Sequence, residues 1–161
     1  MQGKWFLAIV FLVFVSCSKP TFFSKYQNIE ENKWALNQPV DFSISITDTI
    51  TKHHVFINIR NTNQYAYSNL FLIVTESFNN TITQIDTLEY VMADASGKWL
   101  GSGFTGIKEN MLVYKTNHIF SKKGTYNFNI SHAVRKNGNI LGDKFLEGIT
   151  DVGLSIETIK N

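Results

Sequence analysis

Apolar and polar residues alternate along most of the chain with a period of two. Val40, Phe42, Ile44 and Ile46 are interleaved with Asp41, Ser43, Ser45 and Thr47. Successive side chains of a strand point to opposite faces, so this spacing predicts a strand with one apolar face. Val55, Ile57 and Ile59 repeat the pattern against Phe56, Asn58 and Arg60. The short, polar, β-branched stretch Asp48 to His54 between them reads as a hairpin connection. Leu70 to Val74 is continuously apolar, which predicts a strand buried on both faces. Asn79-Asn80 signals a turn before the Thr- and Ile-rich stretch Thr81 to Met92, and Met111 to Tyr114 is a further apolar run. Tyr126, Phe128 and Ile130 alternate again after Lys122-Lys123-Gly124, and Val152, Leu154 and Ile156 close the series. About seven or eight strands with turns between them predict an all-β fold, a single antiparallel β-sandwich that is Ig-like or jelly-roll-like. Helical spacing is nearly absent; the best candidate is Ser131 to Lys136, with Ser131 as N-cap.

The N-terminus breaks this pattern. Lys4 precedes Trp5 to Val15, eleven residues without a polar side chain. A membrane-spanning helix needs roughly 20 such residues, whereas a signal-peptide apolar region has about 7–15. The run ends in Phe14-Val15-Ser16-Cys17, which looks like a bacterial lipobox, although Phe14 stands where Leu is usual. The expected organisation is a signal peptide over 1–16, a lipidated N-terminus and tether over 17–37, and the sandwich over 38–161. Trp34 is expected to pack on the domain's edge and fix where the tether leaves it. Cys17 is the only cysteine of the chain, so its acylation leaves no thiol for a disulfide, a zinc site or a nucleophile. Stable anchoring takes more than one acyl chain, and a bacterial lipoprotein carries two or three.

Charge and composition narrow the functional classes. Loss of Lys4 lowers the 15 basic residues to 14, against 13 acidic, and this near-neutral chain shows no basic stripe for nucleic acid. Catalytic constellations are scarce. His53 and His54 are adjacent and point to opposite faces of a strand, so they cannot share a metal, and His118 and His132 have no ligand at matching spacing. Asp86 and Glu89 also fall on opposite faces. Asp151, in Gly-Ile-Thr-Asp-Val-Gly, reads as a turn-forming residue before a strand. Gly97-Lys98 is followed by Trp99 rather than by Ser or Thr and a helix, which excludes a P-loop. No catalytic residue, cofactor or metal is therefore assigned. The glycine-rich stretch Ala93 to Gly106 carries Trp99, Leu100 and Phe104, which either pack on the sandwich or form a contact patch. It is the best partner-binding candidate, since aromatic residues are enriched at binding hot spots.

Several segments together resemble the GldH family of gliding-motility lipoproteins of Bacteroidota. They are the lipobox at Cys17, His54 to Thr62 running into Tyr65 to Leu70, Asp86 to Tyr90, Gly97 to Gly101, Gly124 to Phe128, and Gly148 to Leu154. The resemblance spans almost the whole chain and rests on the order and spacing of these pieces. It implies a part in surface gliding and the linked type IX secretion machinery, through contacts with other envelope proteins, and no enzyme activity. Ser18-Lys19-Pro20-Thr21 lacks the acidic cluster that resembles the phylum's surface-export signal, so the expected location is the periplasmic leaflet of the outer membrane. Asp48-Thr49-Ile50 and Asp86-Thr87-Leu88 resemble the phylum's O-glycosylation triplet, which makes Thr49 and Thr87 candidate glycan sites. The alternative function is a carbohydrate- or solute-binding lipoprotein of polysaccharide uptake, using Tyr65, Tyr67 and Trp99 as exposed aromatics.

Overall fold

A computed structural model describes residues 21–135 and 142–159. Its strands in chain order are β1 (Thr21–Asn28), β2 (Lys33–Ala35), β3 (Val40–Ile46), β4 (His53–Thr62), β5 (Asn69–Phe78), β6 (Thr81–Val91), β7 (Ile107–His118), β8 (Gly124–His132), β9 (Phe145–Glu147) and β10 (Ile149–Thr158). The alternating segments became β3, β4, β8 and β10, and their apolar sets are buried between two sheets. Each such side chain taken fully out of water contributes roughly 1.5–3 kcal/mol, so the period-two pattern drives the assembly of the sandwich. Among the described residues there is no α-helix.

The pairing is nested. β5 pairs with β6 around the Asn79-Asn80 turn, β4 pairs with β7, β3 with β8, and β1 with β10, all antiparallel. Both turn asparagines adopt positive φ, 46° and 66°, as a hairpin of this twist requires. The chain is thus one long folded ribbon. Two further pairings, β10 with β4 and β8 with β5, roll it into sheets ordered β1-β10-β4-β7 and β3-β8-β5-β6. This eight-strand double sheet has the order of a jelly roll, which decides between the two expected sandwich types. The short pair β2–β9 lies apart from both sheets.

Four local expectations are corrected. Asp48 to His54 is not a hairpin connection: β3 and β4 lie in different sheets, so Asp48 to Lys52 cross from one sheet to the other, and His53 and His54 already begin β4. Thr21 to Asn28, read as tether, forms β1 along the open edge of β10, with register from Thr21 opposite Glu157 to Asn28 opposite Asp151. Residues from Thr21 on therefore belong to the folded unit, not only those after 37, and Trp34 is in the core, its indole N–H donating to the Gln38 carbonyl at 2.9 Å. Ser131 and His132 complete β8 because Leu72 and Ile73 of β5 continue to pair with them; Ala133 to Arg135 are irregular, and Lys136 lies outside the described residues. In β5, Leu70, Leu72 and Val74 are fully buried while Phe71 and Ile73 are half-buried, so only one face is sealed.

Gly148 joins β9 to β10 with φ +84°, a region costly for residues bearing a Cβ. Its amide donates to the Asn32 carbonyl and its carbonyl accepts from Thr62 N–H, each at 2.8 Å. The fold consequently has two ends. One holds the start of β1, the β3–β4 and β7–β8 connections and the Asn79-Asn80 turn. The other holds β2, β9 and the loops after β4 and β6. A ten-residue strand rises about 34 Å between them.

Candidate functional site

The loop from Met92 to Gly106 folds as two small hairpins on the end opposite the start of β1. In the first, Ala93 bridges Trp99, Leu100 N–H donates to the Met92 carbonyl at 3.0 Å, and the Asp94 carboxylate accepts from the amides of Ser96 and Lys98 at 2.8 and 3.0 Å. Those donors hold the Asp94 carboxyl below the usual carboxylate range, the Ser96 side chain contributing most. In the second hairpin, Ser102 and Glu109 exchange two backbone hydrogen bonds at 3.0 and 2.8 Å, leaving Gly103 to Gly106 as its tip. The three candidate contact residues separate here. Trp99 packs on Tyr65, ring centres 5.9 Å apart, and its indole N–H donates to Asn63 Oδ1 at 3.2 Å. Leu100 is 58% exposed and Phe104, at the tip, is fully exposed. Trp99 therefore braces the loop, and Leu100 and Phe104 are what it presents.

Leu100 borders a groove of about 570 Å³ on the outer face of the β1-β10-β4-β7 sheet. Val91 and Met111, 63% and 52% exposed, line the same rim. The floor is polar: Asn58 Nδ2 donates to Ser155 Oγ at 2.9 Å, both residues buried. Beside them Tyr26 lies across Gly153, where a Cβ would come within 2.7 Å of its ring, an aromatic side chain covering a strand glycine. The Arg60 guanidinium sits 4.3 Å from the centre of that ring, and the Tyr26 hydroxyl donates to Glu109 Oε1 at 2.5 Å. Burial, followed by the Glu109 carboxylate, pushes the Tyr26 phenol up to about 12. No signal at the level of spacing could have joined residues 26, 60, 109 and 153, since three different pairings bring them together. Asp151, read as a turn residue, is instead inside β10 between Asn28 and Arg60, because the sheet continues through it.

The remaining candidates are scattered. Tyr65 is buried and donates to the Asn69 carbonyl at 2.7 Å, so it is no exposed aromatic platform; Tyr67 is half-buried and hydrogen-bonded to Asp143. His53 of β4 and His118 of β7 face each other across the strand pair, both near Phe120, each burying a ring nitrogen without a hydrogen-bond partner. Burial lowers the pKa of both, and of His132. Among the described residues no group of three His, Cys, Asp or Glu side chains is placed to hold a metal. Thr49 is half-buried in the β3–β4 crossing and Thr87 is exposed on the edge strand β6. Cys17 lies outside the described residues.

Known proteins align with nearly the whole chain. The family model of the GldH lipoprotein matches residues 21–156. A gliding motility lipoprotein GldH homolog of Christiangramia forsetii is 44% identical over 93% of this chain and 91% of its own. The gliding motility lipoprotein GldH of Flavobacterium johnsoniae is 41% identical over 98% of this chain and 97% of its own.

Proposed function

This chain belongs to the GldH lipoprotein family, whose named relatives are gliding motility lipoproteins, and we propose that it serves gliding by gripping another envelope protein with the loop 92–106. The family is named for a motility component, not for an enzyme. In this reading acyl chains on Cys17 hold the protein to the periplasmic leaflet of the outer membrane, and the partner belongs to the motility or type IX secretion apparatus. The observation that carries it is the apolar rim of Leu100, Val91 and Met111 with Phe104 fully exposed at the tip of the second hairpin. Isolated apolar side chains are common on surfaces, but a cluster bordering a groove marks an interaction site.

The test substitutes the presented residues and spares the brace. Leu100→Ser with Phe104→Ser should leave the thermal midpoint unchanged within about 2 °C, since neither side chain is buried. It should also abolish partner recovery by crosslinking and pull-down from the native envelope and slow the spreading of gliding cells. Normal spreading with unchanged recovery would refute the role of the loop. Trp99→Ala is a poorer probe, because it removes packing on Tyr65 as well as any contact. The carbohydrate reading loses Tyr65 as a platform; what favours it is the polar floor formed by Asn58 and Ser155, and a glycan array separates the two.

A further inference from the structure

Cys17 and Thr21, the first residue of β1, are four residues apart. Even fully extended, four residues reach only about 14 Å. If Cys17 carries the lipid, the end of the sandwich where β1 begins cannot leave the bilayer surface by more than that. The surface it turns to the membrane has a distinctive composition. Ile50, in the β3–β4 crossing, is 84% exposed; Phe22, tilted against His53 with ring centres 5.5 Å apart, is 47% exposed; and Ile119, in the β7–β8 connection, is 41% exposed. Around them Lys52, Lys122 and Lys123 are exposed. The acidic groups on this end are Asp48, Glu157 and Glu76, the last buried and paired with Lys115. The Asp48 carboxylate is turned into its own loop, accepting from the amides of Ile50 and Thr51 at 2.8 and 3.3 Å, which also fixes the crossing that carries Ile50. The opposite end mixes its charges, with Glu30, Glu31, Asp94 and Glu147 exposed beside Lys33, Lys98 and Lys144.

We infer that this end is a membrane seat: Ile50, Phe22 and Ile119 enter the headgroup region while Lys52, Lys122 and Lys123 meet lipid phosphates. Apolar side chains ringed by lysines suit a lipid interface, where the lysine stems lie in the apolar zone and the ammonium groups reach anionic headgroups. The inference rests on the reading of Cys17 as the lipid-bearing residue. It fixes the orientation of the domain, with the Glu157 end of β10 at the bilayer beside the start of β1 and the loop 92–106 held about 30 Å away, where a partner can reach it.

The experiment uses the mature, acylated protein in vesicles of phosphatidylethanolamine and phosphatidylglycerol. Because acylation blocks the native thiol, a cysteine introduced by Ile50→Cys or Ile119→Cys accepts a bimane probe at one place, and Ala66→Cys labels the far end. Flotation with the vesicles reads the anchor; quenching by doxyl-labelled lipid reads the seat. Expected are flotation of all three proteins, at least two-fold quenching at positions 50 and 119, and none at 66. Lys122→Glu with Lys123→Glu should at least halve the quenching and leave flotation intact. Flotation without quenching at 50 and 119, or quenching equal at all three positions, overturns the seat while the anchor stands. Failure to float overturns both. A hexose found on Thr49 of the native protein also overturns it, since a glycan there fills the space the seat requires.

Discussion

Gly97 and Gly148 hold almost the same backbone angle, φ +82° and +84°, in opposite surroundings. A Cβ added at Gly97 meets nothing within 4 Å, whereas one at Gly148 comes within 2.3 Å of Tyr65 N and 2.7 Å of the Gln64 carbonyl carbon. Alanine at either position has the same left-handed cost of about 1–2 kcal/mol and the same effect on the unfolded chain. At Gly148 the backbone of Tyr65 must also yield. The shift disturbs the two hydrogen bonds that Gly148 makes to Asn32 and Thr62, each contributing about 1 kcal/mol net. Gly97→Ala should thus lose roughly 1–2 kcal/mol and Gly148→Ala roughly 3–4 kcal/mol. For a domain of this size the melting point falls roughly 3–4 °C per kcal/mol, so thermal unfolding followed by circular dichroism should separate the variants by about 6–8 °C. If they differ by less than about 0.5 kcal/mol, the close approach at Gly148 contributes nothing and its presence reflects the angle alone.

Two further outcomes test the interior. Burial lowers the pKa of His53, His118 and His132, so the unfolded chain binds more protons than the fold once pH drops below the ordinary histidine value of about 6.5. Stability should be full at neutral pH and fall as the solution is acidified through the depressed values. The groups around the first pair are Asp48 beside His53, and Lys115 and Glu76 beside His118; a His118→Phe variant should flatten part of the slope in urea titrations at pH 7.5 and 5.5. Lys115 Nζ lies 2.5 Å from Glu76 Oε2, with both side chains largely buried. Lys115→Met should cost about 3 kcal/mol by stranding the carboxylate, and Lys115→Met with Glu76→Leu should recover most of it; additive losses in urea unfolding would refute the coupling.

What the sequence made legible depended on how evenly each segment meets water. β3, β8 and β10 have one face in the core, so their alternation announced them, and Asn79-Asn80 declared its turn by residue type alone. β1 was missed because an edge strand seals neither face: Phe22 is exposed, and Tyr26 lies on the outside of the sheet against Gly153. The Asp48 to Lys52 crossing was misread because a hairpin and a sheet-to-sheet step share the same polar composition; only the partners of β3 and β4 distinguish them. The braced loop was found from its glycines and aromatics, yet which of Trp99, Leu100 and Phe104 faces solvent depended on Tyr65 and Asn63, over thirty residues earlier.

The nesting of the ribbon has a consequence for biogenesis. Among the described strands β1 is the first to emerge during synthesis, but its hydrogen-bonding neighbour is β10, the last. Its place in the sheet cannot form as the polypeptide is threaded, because the receiving edge does not exist until β10 has followed. Topologies built on such distant pairings also fold slowly. If Cys17 bears the lipid, an anchored chain whose β10 has not yet folded holds β1 unpaired beside the membrane. The four residues from Cys17 to Thr21 would then keep that open edge of β1 within about 14 Å of the bilayer while it waits for β10.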